Sequence, residues 1–325
     1  MPRYTRAMSN DAMNNPSDTD PLTALRAELV RGDQALAGVA PVLVHLLSQS
    51  GQSLVSDQTL AHLRGMMDDL AGQLLTQLAP ANGEGQLFDP SVKQDLANRL
   101  SSNTQLLSHC FALSVEAQIG ERLERELHID RVLSPLMQEL IASSDAALAE
   151  LAMGTMAAQG RFVQTQSRMS LPVKELPADL FRQVIAISQA VLGSESNEAF
   201  ELAGAKLKEQ YDEAGSRIAL LAHLITSLRG GASAALNLEH GGVALFASAL
   251  ASITQQPREL AVLGCSERQH ARLAFSLRAA GMAPEQIEQV MVILHPQIDL
   301  SAAFANLSAQ AAQDMLSQLP TGARR

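Results

Sequence analysis

Along most of this chain, apolar residues return every three or four positions and polar residues fill the gaps. That is the period of a helix with one buried face. The pattern predicts helices over 21–37, 41–49 and 56–78. Asp20 and Pro21 stand as cap and first residue of the first, and Ser56 as a cap of the third. The stretch "APANGEGQLFDP", 79–90, then interrupts the period with Pro, Asn and Gly, marking a loop and a subdomain boundary. From Ser91 a further run extends through Leu107, after which Val115, Ile119, Leu123 and Leu127 form a stripe at spacing four.

The next segment, "RVLSPLMQELIASSDAALAELAMGTMAAQG", reads as two helices with a polar break. Val132, Leu133, Leu136, Met137, Leu140 and Ile141 share one face. Ser143, Ser144 and Asp145 end that helix and cap the next, whose inner face is Leu148, Leu151, Ala152, Thr155, Met156, Gln159 and Phe162. A two-proline connector occupies 169–181, and Pro177 opens a helix carrying Leu180, Val184, Ile187 and Val191. A turn over 193–198 precedes helices over 200–208 and 217–228. The 243–253 segment is apolar all round and reads as a core helix. Ser266 and Gln269 form a capping-box pattern ahead of a helix that ends at Gly281. Pro284 starts the last strong helix, and His295-Pro296 ends it.

No stretch alternates at period two, so no significant sheet is expected. The expectation is an all-α protein of about a dozen helices in antiparallel pairs. Its organisation reads as a disordered lead over 1–20, a helical subdomain over 21–79, a loop over 80–90, a main helical domain over 91–318 and a flexible tail over 319–325. Met8 and Met13 are alternative starts.

The pair at 131–160 resembles a HEAT-type helical repeat. Pro135 stands at the first-helix proline of that repeat. Asp145, Leu148, Ala152 and Met156 stand at its turn aspartate, aliphatic, alanine and large apolar positions. Ala149 departs from it, where a basic residue is usual. A second copy would start near "LPADLFRQVIAI", and "SNEAFELAGAKL" fits its second half loosely. The resemblance implies an irregular HEAT-like array. The chain is also similar to all-helical bacterial proteins of uncharacterised function, which implies no activity.

Composition supports helices: hydrophobic residues make up 46%, aromatics only 3%, and there is no tryptophan. Ala, Leu and Gln favour helix over sheet. The net charge of −10, with no run of Lys and Arg, argues against a nucleic-acid partner. The run 121–131 mixes both signs, with Glu121–Arg125 and Arg122–Glu126 at ion-pair spacing. Two distant cysteines, Cys110 and Cys265, fit a reducing compartment. The polar N-terminus is no secretory signal, and no segment has the length of a membrane span. A cytoplasmic protein is expected.

Chemistry is sparse. None of the eight histidines lies three to five residues from another, so no metal site is expected. No phosphate-binding glycine motif or serine-hydrolase elbow occurs, and no cofactor is expected. Cys265, at a helix start, could have a lowered pKa, but a buried thiol is the commoner case. Segment 275–294 has the shape of a helix-turn-helix, yet its second helix carries Glu285 and Glu288 and no basic residue. Met66, Met67, Met137, Met153, Met156 and Met291 fall on apolar faces. Glu239 and His240, beside Gly241 and Gly242, are the candidate acid/base pair. By elimination the leading expectation is a protein–protein interaction or regulatory scaffold, with an enzyme around Glu239 and His240 as the alternative. Gln138, Glu139, Glu150 and Arg161 are the candidate partner-binding residues, the partner being an unidentified, basic protein. Homo-oligomers are compatible with this reading.

Overall fold

A computed structural model describes residues 21–48, 57–78, 89–192, 198–298 and 307–320. The expected lead, the start codons, the Ser56 cap, most of the 80–90 loop, the turn at 193–197 and the end of the tail lie outside the described residues. Among the described residues the fold is all-α, with no strand. The helices are α1 (Pro21–Ser48), α2 (Asp57–Leu78), α3 (Pro90–Ser101), α4 (Thr104–Leu127), α5 (Pro135–Ile141), α6 (Ala146–Ser167) and α7 (Ala178–Leu192). They continue as α8 (Glu198–Gln210), α9 (Arg217–Ser227), α10 (Leu238–Thr254), α11 (Arg258–Gly264), α12 (His270–Ala279), α13 (Pro284–Leu294) and α14 (Ala309–Ser317).

Short polar side chains start many of these helices by accepting a backbone N–H that would otherwise lack a partner. Asp89 does this for α3, Asn103 for α4, Ser134 for α5, Asp145 for α6, Ser216 for α9, Asn237 for α10 and Ser308 for α14. Asp145 accepts from Ala147 at 3.0 Å and from Leu148 at 3.3 Å.

Several boundaries differ from the sequence expectation. α1 runs unbroken through Pro41. An internal proline costs a helix about 3 kcal/mol. Here Leu25 and Leu29 anchor the first half in one core and Leu43 the second half in another, which offsets that loss. The run expected over 91–107 is split at Ser102, because Asn103 starts a new helix. α5 begins only at Pro135. Asp130 turns the preceding chain by accepting from Val132 and Leu133, and Leu133 stays exposed. The capping box at Ser266 does not form. Its hydroxyl donates to the Leu263 carbonyl, and the Gln269 amide donates to Gly32 of α1 at 2.9 Å. Met153 is exposed, whereas Met66, Met67, Met137 and Met291 are buried.

Two hydrophobic clusters organise the chain. One gathers α2, α3, α7 and the first part of α4. The other surrounds α10, which packs on α4, α5, α9, α11 and α12. α1, α4 and α6 contribute to both. The helices expected as a subdomain over 21–79 therefore share a core with later segments. α5 packs on α6 as the pair reading expects, but α1 also packs on α12, and α4 on α11. In a repeat array each unit touches only its neighbours, so these distant contacts do not reproduce the HEAT-like stack.

Candidate functional site

The seam between the two clusters carries charge. On α4, Leu113 belongs to one cluster and Val115 to the other, and Glu116, 1% exposed, follows directly. Arg217, the first residue of α9, reaches its carboxylate with Nη1 to Oε1 at 2.8 Å and Nη2 to Oε2 at 2.9 Å. Arg258, the first residue of α11, approaches with Nη2 to Oε1 at 2.7 Å and Nη1 to Oε2 at 2.8 Å. Burial pushes the Glu116 carboxyl up, but the two guanidiniums together outweigh it and hold the group well below the usual carboxylate range.

The surrounding groups complete this network. Gln159 of α6 accepts from Arg217 at 3.0 Å and donates to the Arg131 carbonyl at 2.9 Å. The Arg217 guanidinium lies 3.7 Å above the Phe162 ring, a cation–π contact. Arg258 Nε donates to Ser248 Oγ at 2.9 Å. Beside it, His109 Nδ1 stands 3.1 Å from Glu259. A carboxylate offers about four lone-pair positions. Glu116 already has four donors from two arginines, so it joins α4, α9 and α11 and is not free to accept a proton from a substrate. Cys265 nearby is buried, and its thiol is pushed up to about 12 by burial first and by Glu116 second. That agrees with an unreactive core thiol.

Two cavities flank Phe162 and Gln166 of α6. One, about 310 Å³, is lined by Glu116, Gln159, Arg131 and His62 among others. The other, about 260 Å³, is lined by Arg161, Arg168, Lys174 and Arg217 above an apolar wall. A wider groove of about 1180 Å³ runs between the 3-10 segment Arg229–Leu236, the start of α10 and one face of α13. Its lining includes Glu239, His240, Glu285 and Glu288, and no lysine or arginine. Those three glutamates have no ion-pair partner among the described residues.

The candidate residues fall in different places. Glu239 and His240 sit in the first turn of α10 on this groove. Glu139 of α5 meets His240 alone, its Oε2 being 3.2 Å from His240 Nε2, and does not line the groove. One member of the candidate acid/base pair thus contacts one candidate partner-binding residue. Gln138 is exposed and donates to the Leu133 carbonyl at 3.1 Å. Glu150 is exposed on α6. Arg161 lines the 260 Å³ cavity, away from the groove. Among the described residues, no three His, Cys, Asp or Glu side chains converge as a metal site would need.

Sequence reasoning missed Glu116, Arg217 and Arg258. One signal was readable: Glu116 is a lone carboxylate inside the apolar run "FALSVEAQIG". No family model, curated protein or solved structure matches this chain.

Proposed function

We propose that this is a cytoplasmic interaction or scaffold protein that docks a basic, amphipathic segment of a partner in the groove beside α13. One observation carries the reading: the groove combines three unpaired glutamates with apolar side chains and has no lysine or arginine among its lining residues. Val292, 61% exposed, sits on it, while Leu236, Leu238 and Val290 are buried beneath. A helix with one apolar and one basic face complements such a surface. Charges at the rim speed encounter and select the partner, while the apolar strip supplies most of the binding energy.

The catalytic alternative is favoured by a different observation, the carboxylate–imidazole contact between Glu139 and His240. In that reading Glu239 and His240 would exchange protons with a substrate held in the groove they line, with Glu139 orienting the imidazole. The two readings separate experimentally. A fluorescently labelled helical peptide of alternating Lys and Leu faces is titrated by anisotropy, alongside its Glu-for-Lys counterpart. Docking predicts binding of the basic peptide only, weakening with salt, and its loss in the Glu285→Lys, Glu288→Lys double variant. Equal binding of both peptides, or retention by that variant, removes the docking reading.

A further inference from the structure

We propose that the cavity of about 260 Å³ beside α6 is a binding site for a small amphiphilic carboxylate, a chain of about eight carbons ending in one anionic group. The cavity lies between the second half of α6, the 3-10 turn Val173–Glu175 and the start of α9. It shares no lining residue with the groove beside α13, so it stands or falls apart from the docking reading.

Burial separates the lining into a wall and a mouth. Leu113, Phe162 and Leu171 are buried and make most of the wall with Ile218, beside the buried Gln166 and Arg217. Arg161, Arg168 and Lys174 are exposed and make the mouth. None of these three cations has an ion pair or a side-chain hydrogen bond among the described residues. They gather at one opening on a chain that carries ten more negative than positive charges. Some other surface cations find carboxylates: Lys93 meets Asp68 at 2.7 Å, and Arg131 meets Glu124 at 2.7 Å. The single carboxylate at the cavity, Glu175, is already engaged, because its Oε2 accepts the Arg217 backbone N–H at 2.7 Å. Three like charges around one small opening repel each other, and a bound anion relieves that repulsion.

The shape sets the rest of the ligand. A nucleotide or free phosphate is held by backbone N–H groups and polar walls, whereas this wall is mostly apolar, and its buried polar members Gln166 and Arg217 already bond His62 and Glu116. Taking a methylene as about one water's share of volume, ~30 Å³, the space holds about eight or nine. Each added methylene that fits should tighten binding about fourfold.

Titration calorimetry on the full chain tests this with hexanoate, octanoate, octylamine and inorganic phosphate, all below micelle-forming concentrations. Octanoate is expected to bind about tenfold or more tightly than hexanoate, with no heat from octylamine or phosphate. Arg161→Glu with Lys174→Glu should weaken octanoate at least tenfold and leave the urea midpoint unchanged, since both side chains are exposed. Ile218→Phe, which fills the cavity from its half-buried edge, should weaken octanoate while sparing that midpoint too. Absence of octanoate binding overturns the proposal. So does equal binding of octylamine, which would mean mere hydrophobic adsorption, or of phosphate, which would mean an anion site without a tail. Octanoate affinity unchanged in both variants places the ligand elsewhere and overturns it as well.

Discussion

The carboxylate of Glu116 and the guanidinium of Arg217 lie side by side, two N–H donors against two oxygens at 2.8 and 2.9 Å, and both groups are almost fully buried. With Arg258 on the other side, the carboxylate ties α4 to α9 and α11. The Gln159 contact adds α6. Removing one member leaves the others charged inside the protein. Glu116→Ala is therefore expected to cost about 3–5 kcal/mol. Replacing Glu116, Arg217 and Arg258 together by leucine or methionine should cost far less, because no stranded charge remains. Urea unfolding of both variants decides. A single variant as stable as wild type would mean water reaches the seam.

From Val243 to Ala251, α10 has no polar face. Ala247 and Ala249 are fully buried and Ser248 nearly so. Ala247→Leu adds volume where helices already touch and should cost about 1–3 kcal/mol through overpacking. An unchanged unfolding midpoint would show that the neighbouring helices can move apart freely.

Glycines test the packing from the other direction. A Cβ on Gly241 would stand 2.8 Å from the Ala235 carbonyl oxygen, and Gly242 has φ +66°. Gly241→Ala should force the start of α10 away from the Arg229–Leu236 segment and cost about 1–3 kcal/mol. Gly154, inside α6, has nothing within 4 Å of a new Cβ. Gly154→Ala should stabilise by about 0.5–1 kcal/mol, by lowering the freedom of the unfolded chain. Thermal melts that move both variants the same way contradict this contrast.

His295 reports on pH. Burial, then His270 and then Arg122, pull its imidazole down from 6.5 to about 4. The folded value lies below the unfolded one, so the unfolded chain takes up the proton first as pH falls. The contribution to stability is complete above about 6.5 and is lost as pH falls toward 4. Its size is on the order of 2–3 kcal/mol. Glu116 and Glu259 are both held below their ordinary range, so their losses come at lower pH. Urea midpoints at pH 7.5 and 5 should differ in wild type and converge in His295→Gln. Parallel pH profiles would assign the slope to other groups.

The all-α class, most helix positions, the Asp145 break and the enclosure of most of 243–253 were legible in the sequence, with Ser252 exposed at its end. All of them are local. Helix propensity, a 3.6-residue period and a capping side chain act over a few neighbouring residues, and these wrote themselves into the chain. Periodicity states which face of a helix is buried but not what it is buried against. The Glu116–Arg217 contact joins residues 101 positions apart, and a glutamate on a helix reads the same whether it faces water or two guanidiniums. The unbroken α1 across Pro41, the meeting of Glu139 with His240, and the gathering of Arg161, Arg168 and Lys174 around one cavity depended in the same way on distant partners. Tertiary packing decided these features, because the free energy of a charge or a proline depends on surroundings that the rest of the chain supplies.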